Sequence, residues 1–241
     1  MKDHSLAMTV IRLAAVLILA TAVTLAAQVP VTKDPSHRVA FENAQLRILD
    51  VNVAPGAMSL DHRHDFDIVT VSMNAGTDTR VQVTGQPWGA VRPPRPAGDA
   101  SATEYTGKAG SHRVENVGKI PYQLFAIENL KASGWTTTPA ASGLATKMVS
   151  ESRAFRVYDV RLAREVSQTA HTHAVPTIAI LVSGKAMSDG PDAQAKANAP
   201  APVGLRQLDQ PGQWILVPGG DTHHVVRLGT TDTRLIEIEV R

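Results

Sequence analysis

The feature that most constrains this chain is that it repeats itself. Adding 109 to the numbers of the first half carries Glu42 to Glu151, Arg47 to Arg156, Asp50 to Asp159, Val51 to Val160, His62 to His171 and His64 to His173. Farther along, the offset grows to 111 and carries His112 to His223, Gly118 to Gly229, Leu124 to Leu235 and Glu128 to Glu239. A duplicated unit folds twice, so each motif has to be read together with its copy. Of the nine histidines, only His4, His37 and His224 fall outside the repeat-related positions.

The matched blocks consist of short β-type runs: Leu46 to Val53, Ile68 to Met73, Pro121 to Glu128, Phe155 to Leu162, Thr177 to Val182, Trp214 to Val217 and Leu235 to Val240. Turn signals at Pro55-Gly56, Asn74-Ala-Gly76, Ser183-Gly184 and Pro218-Gly-Gly220 punctuate them, which predicts an all-β sandwich or barrel. Thr84 to Ala102 and Asp189 to Gly204 are rich in Pro, Gly and Ala and are expected to be loops. The repeats are expected at 38–130 and 149–241, each with its own core, joined by a linker at 131–148.

Lys2 and Arg12 precede an apolar run from Leu13 that ends in small residues at Ala26 and Ala27. That order predicts a secretory signal peptide over 1–27, and hence a secreted or periplasmic protein with no stable membrane span after cleavage. Thr, Gln and Pro interrupt the run before it reaches the ~20 strongly apolar residues that a span prefers. The chain has no cysteine, which excludes disulfides, thiolate chemistry and Cys-ligated metals. Its net charge of +2 is spread along the chain, which argues against a nucleic-acid partner. A small-molecule ligand or substrate is the expected partner, and a homo-oligomer is compatible with the sequence.

In a β-strand, residues i and i+2 share a face and lie about 6.6 Å apart along it. His62 with His64, and His171 with His173, can therefore aim two imidazoles into one interior, where His112 or His223 supplies a third from a distant strand. Surface strands carry isolated His-x-His pairs by chance, but two copies with a third histidine at nearly the same spacing point to a metal-site repeat. The candidate ligands are His62, His64 and His112 in the first half and His171, His173 and His223 in the second. All-imidazole sets suit a divalent ion such as Fe, Mn, Ni, Cu or Zn.

These blocks resemble the two motifs of the cupins, G-x5-H-x-H-x3,4-E-x6-G and G-x5-P-x-G-x2-H-x3-N. Gly56 through His64 matches the start of the first motif, His112 through Asn116 the end of the second, and Gly212 through His223 nearly all of the second. The resemblance implies two jelly-roll β-barrels in tandem, a bicupin, each with a metal site inside. The departures are specific. Ile68 and Thr177 stand where cupins usually place a glutamate ligand, Glu165 replaces the leading glycine, and Arg227 replaces the final asparagine. Asp65 and Asp67 lie nearby, but strand alternation aims them away from the histidines. Thr177 reads as an inward β-branched residue, His224 as a rim residue, Arg47/Arg156 and Asp50/Asp159 as repeat-structure residues, and Glu128/Glu239 as a solvated strand face.

Two functions stay open on this reading. Three neutral imidazoles leave the ion its full charge and open positions, and some cupin dioxygenases have such sites, which permits a metal-dependent, dioxygenase-like enzyme acting on a small organic substrate. The alternative is a non-catalytic bicupin that binds a small ligand or is braced by its metals, supported by the lack of an acidic ligand and of any proton-transfer group beside the histidines. The rigid Pro218-Gly-Gly220 turn predicts firmer metal binding in the second half, where the first has Gly107-Lys-Ala-Gly-Ser111.

Overall fold

Residues 28–131, 134–135, 137, 141, 147–163, 170–189, 194–195 and 205–241 are described by a computed structural model. The expected signal peptide, Glu165 and most of the linker and of the second insertion lie outside these residues. Apart from one turn of 3-10 helix at Val31–Lys33, every regular element among the described residues is a strand.

Each half is built from two sheets. In the first, His37–Glu42, Leu46–Val53, Tyr122–Asn129, Asp67–Ser72 and Ala100–Thr103 form a five-stranded sheet. It faces a four-stranded sheet of Val29–Pro30, His62–His64, Gly110–Asn116 and Thr79–Val83. In the second, Lys147–Glu151, Phe155–Leu162, Thr233–Val240, Thr177–Ser183, Trp214–Val217 and Gln194–Ala195 form a six-stranded sheet. The sheet facing it contains His171–Thr172, Thr222–Arg227, Ala186–Asp189 and Leu205–Leu208. Nearly all pairings are antiparallel. The exception is Val29–Pro30, which runs parallel to His62–His64 and brings the N-terminal segment against the histidine strand.

The long strands read as near-continuous apolar runs because both of their faces are covered. Outward residues of the two large sheets, Ile48, Phe125 and Ile127 on one side and Ile178, Ile180, Trp214, Ile236 and Ile238 on the other, form one cluster between the halves. Inward residues form a separate cluster in each half, around Val51, Ile68 and Leu124 in the first and Val160, Leu181, Val217 and Leu235 in the second. Each half thus has an inner cluster of its own, and the expectation of independence is qualified by the third cluster that they share: the sheets would expose an apolar face if the halves parted. Asp67, the Ala97–Gly98 backbone and the Asn129 side chain add polar contacts across the seam, to Arg153, Arg234 and Arg241 respectively.

Strand boundaries agree with the sequence to within a residue or two for the runs it picked out. Less apolar strands escaped it, among them His37–Glu42, Thr79–Val83 and Gly110–Asn116. Two expected loops also contain strand: Ala100–Thr103 begins inside the first insertion, and Gln194–Ala195 pairs with Leu216 and Ile215. Lys147–Glu151 likewise starts within the expected linker. Gly76 shows why one turn signal is strict. Its φ of +82° favours glycine, and a Cβ there would sit 2.4 Å from the Arg95 carbonyl oxygen, so this turn holds the Arg95 segment close.

Candidate metal centres

In the first half, His62 and His64 point inward from their strand while Arg63 between them is exposed and pairs with Asp65. His112 sits directly across the ladder from His62. The three ring centroids lie 4.7–5.0 Å apart, and one donor nitrogen from each falls within 4.8 Å of the others. Tyr105 stacks on His64 at 4.9 Å.

The tautomer of His62 follows from its surroundings. Its Nδ1 is 2.9 Å from Asp34 Oδ2 and 3.0 Å from the Leu60 carbonyl, and both of these only accept hydrogen bonds. The proton is therefore on Nδ1, and the lone pair on Nε2 is turned to the other two histidines. That Nε2, like His64 Nδ1, is buried with no hydrogen-bond partner. Buried nitrogens left unsatisfied beside one another carry a desolvation penalty that a bound cation removes, so the residues fit a divalent metal. Without a cation, burial, followed by the neighbouring imidazoles, pushes His64 down to about 2, and burial and His62 push His112 down to about 3.

Asp34 and His37 complete this site, and neither was expected from the sequence. The 3-10 turn places Asp34, whose Oδ1 accepts from the Ser36 backbone N–H and hydroxyl at 2.9 and 2.8 Å. Its Oδ2 lies 3.1 Å from His37 Nδ1 as well as 2.9 Å from His62 Nδ1. Burial opposes the Asp34 charge, but the contacts with His37, His62 and Ser36 outweigh it and hold the carboxyl well below the usual range. One carboxylate oxygen thus stands within ion-pair reach of two rings without an aligned hydrogen bond to either, and a carboxylate placed behind a ligating histidine raises its basicity. His37 stands 4.3 Å from His62, between ring centroids, and lines the adjoining cavity.

The second half brings together His171, His173 and His223, with His171 opposite His223 in the ladder, and adds Glu237. His171 Nε2 is 3.1 Å from His173 Nε2, and Glu237 Oε2 is 3.6 and 3.4 Å from those two atoms. Donors held about 2.1 Å from one ion at octahedral to tetrahedral angles stand about 3.0–3.4 Å apart, so this group also fits a divalent metal. Behind it, His173 Nδ1 donates to Glu239 Oε1 at 2.9 Å, and Arg156 and Tyr158 both donate to Glu239 Oε2 at 3.2 Å. Burial disfavours a charge on His173, yet hydrogen bonds to Glu237 and Glu239 prevail and push it up to about 9.

Two sequence expectations are overturned here. The acidic group absent from the motif position is present on another strand, as Glu237. Glu128 and Glu239 are not on a solvated face: both are at most 1% exposed and are held by Arg47 and Arg156. The cause is the same in both cases. Ile236 and Ile238 point into the shared core between the halves, so the alternate residues Glu237 and Glu239 must point inward. In the first half the same ladder position, opposite Leu49 rather than Tyr158, is occupied by Ala126. Other expectations agree with the geometry. Thr177 donates to the Val175 carbonyl, Ile68 packs in the inner cluster, and Asp67 faces Arg153 away from the histidines. His224 is half-buried and follows His223 on its strand, and Arg47 and Arg156 brace the repeat.

The first site adjoins a cavity. It measures about 350 Å³ between the two sheets and is lined by His37, His64 and His112 together with Tyr105, Arg92 and Arg95.

No family model matches the chain, and no curated protein matches it. Solved structures do. A cupin 2 conserved barrel domain protein from Leptotrichia buccalis is 8% identical with a TM-score of 0.52, over 85% of this chain and 88% of its own. A mutant oxalate decarboxylase from Bacillus subtilis is 11% identical with a TM-score of 0.58, over 85% and 72%. A mutant salicylate 1,2-dioxygenase from Pseudoaminobacter salicylatoxidans is 12% identical with a TM-score of 0.57, over 82% and 72%.

Proposed function

This chain has the cupin fold in two copies, and from that premise we propose that it is an exported metalloenzyme working at its first half. Each half forms a jelly-roll barrel around one divalent ion, and the first acts on a small organic substrate in chemistry of the oxygenase type. The observation that carries this reading is the contrast between the two sites. Three imidazoles without a carboxylate adjoin a cavity of about 350 Å³ in the first half, whereas the donors of the second include the buried carboxylate of Glu237. Bound there, the ion would supply Lewis acidity or redox capacity at open positions.

The chain's own residues provide the rest. His62, His64 and His112 hold the ion, Asp34 fixes the His62 tautomer, and His37 places a further oriented imidazole at the cavity wall. Apolar side chains between the sheets exclude water from the substrate's body. The second half, with Glu237 as an anionic donor, holds its ion as a brace. Export rests on the order of charge, apolar run and small residues over 1–27. No helix among the described residues is long and apolar enough to cross a membrane.

The test is metal analysis and oxygen uptake on protein purified gently from its own host, with a panel of diketones, phenols and organic acids. Two metal ions per chain are expected, and His62→Ala with His64→Ala should abolish turnover while one ion remains. Turnover that survives loss of the first ion would move the working centre to the second half. Metal content near zero would overturn the metalloenzyme reading, and ligand binding without turnover would identify a binding protein.

A further inference from the structure

Arg92 differs from every other described arginine of the first half. Arg38 pairs with Asp50, Arg47 with Glu42 and Glu128, Arg63 with Asp65, Arg80 with Glu115 and Arg95 with Asp99. Arg113 donates to Gln82 and lies over Trp88. Arg92 has neither a carboxylate nor an aromatic ring as partner among the described residues, yet it is held in place. Its backbone N–H donates to the Thr79 carbonyl at 2.7 Å and its carbonyl accepts from the Thr79 N–H at 3.3 Å, which pins the insertion to the edge of the inner sheet.

From that position the Arg92 side chain lines the cavity, and its charge is felt at His112, Tyr105 and Tyr122. Arg95 lines the same wall, with Nε on Asp99 Oδ2 at 2.6 Å and Nη1 on Thr70 Oγ1 at 3.1 Å. No acidic side chain lines this cavity among the described residues. The remaining wall is largely apolar, with Val51, Ile68, Val81, Val114, Leu124 and Ala126. A cavity with a free guanidinium, two tyrosines, no carboxylate and an apolar body suits a molecule that is anionic at one end and hydrocarbon at the other.

We propose that the first-half cavity binds a small organic carboxylate, with Arg92 as its anchor and the apolar wall as the seat of its hydrocarbon body. The guanidinium presents parallel N–H donors that match a carboxylate in a bidentate pair, and the exposed mouth lets it remain hydrated until the ligand arrives. This rests on the first half being the working centre, but the binding step is separable from turnover. Arg92 acts on the ligand and lies outside the metal set, so its replacement leaves metal content unchanged.

The experiment uses full-length protein, both metal-free and loaded with Co²⁺, and three ligand pairs: acetate, succinate and benzoate, each beside its amide. Affinities are read by calorimetry or ligand-observed NMR. At least one carboxylate, benzoate foremost, should bind about tenfold or more tighter than its amide, the value of a charge-assisted pair in a partly dry site. Arg92→Met should remove that preference and leave amide binding unchanged, and Arg92→Lys should restore part of it. Because Arg92 is exposed, circular dichroism should show the variants folded. The proposal is overturned if no carboxylate outbinds its amide, or if Arg92→Met keeps the preference. Carboxylate binding that depends on Arg92 with no turnover of any substrate would leave this inference standing and remove the enzyme reading. Turnover of a neutral substrate untouched by Arg92→Met would do the reverse.

Discussion

Replacing Asp34 by asparagine isolates the role of a carboxylate that touches the first site only through its histidines. In the native protein Oδ1 accepts from Ser36 and Oδ2 stands 2.9 and 3.1 Å from the Nδ1 atoms of His62 and His37. Asparagine has the same shape but one acceptor end. If its oxygen stays with Ser36, its NH₂ group meets two ring N–H groups, donor against donor. The favourable escape for His62 is to move its proton to Nε2, which is the atom turned to His64 and His112. Metal must then displace that tautomer. Loss of such an orienting carboxylate lowers metal affinity by roughly 10–100-fold, or about 1.4–2.8 kcal/mol. The assay is a Co²⁺ titration in a background of His171→Ala with His173→Ala, which silences the second site, following the d–d absorption of the bound ion. Asp34→Ala serves as a control without the misplaced donor and should lose less than Asp34→Asn. An unchanged affinity in a folded Asp34→Asn protein would show that Asp34 only shapes the 3-10 turn.

Three further outcomes follow from the same geometry. Glu237→Gln should weaken metal binding in the second half while leaving the first half's affinity unchanged, as read by separate titrations in the complementary double-histidine backgrounds; equal affinities for Gln and Glu there would exclude Glu237 from the ligand set. Trp214→Ala empties a side chain that is 1% exposed in the cluster shared by both halves, and should destabilise the whole chain by about 3–5 kcal/mol in one cooperative transition, with two separate transitions in calorimetry contradicting the shared core. Asp67 accepts from the Tyr105 and Thr106 N–H groups and from Arg153, and although burial opposes its charge these bonds hold its pKa below the ordinary 3.8. Its folded-state pKa is thus depressed, so its contribution is present above the unfolded value and lost as pH falls through the folded one. Asp67→Asn should cost about 1–3 kcal/mol at neutral pH and progressively less below pH 4, as measured by urea unfolding at several pH values, and a pH-independent difference would assign the effect to shape rather than charge.

The fold was legible in the sequence where one rule governed a residue. Strands covered on both faces read as apolar runs, and Phe155–Leu162 and Trp214–Val217 fall where those runs do. The six histidines were legible because each has a repeat partner and because alternation fixes which face His62 shares with His64. Glu237 and Glu239 were not, because their orientation depends on what covers the opposite face of their strand. In Leu235-Ile-Glu-Ile-Glu-Val240 the alternation is plain, but the isoleucines could as well have been the inner row. The other half's sheet decides the matter by burying them. Asp34 and His37 were hidden for a different reason. They have no counterpart in the repeat, and a short parallel pairing of Val29–Pro30 with His62–His64 brings their segment to the site. A pattern search keyed to repetition passes over whatever one copy acquired by itself.

The differences between the two centres bear on one physical variable, how much of an ion's charge is neutralised by its donors. At the ladder position where the second half carries Glu237, the first carries Ala126, so a divalent ion there keeps its full charge against three neutral rings. The negative charge that the first half does supply, Asp34, arrives behind His62 and takes no coordination position. It strengthens the ligand without closing the site. An ion left electropositive and open attracts an anion, and Arg92 adds a second cation to the same cavity. Glu237 would do the opposite in the second half: with His171 and His173 it would hold a bound ion directly and bring a negative charge to it. On the proposed reading, the exchange of alanine for glutamate at this position of the Tyr122–Asn129 and Thr233–Val240 strands, within one duplicated set of three histidines, would help to separate a centre that accepts a ligand from one that retains its metal.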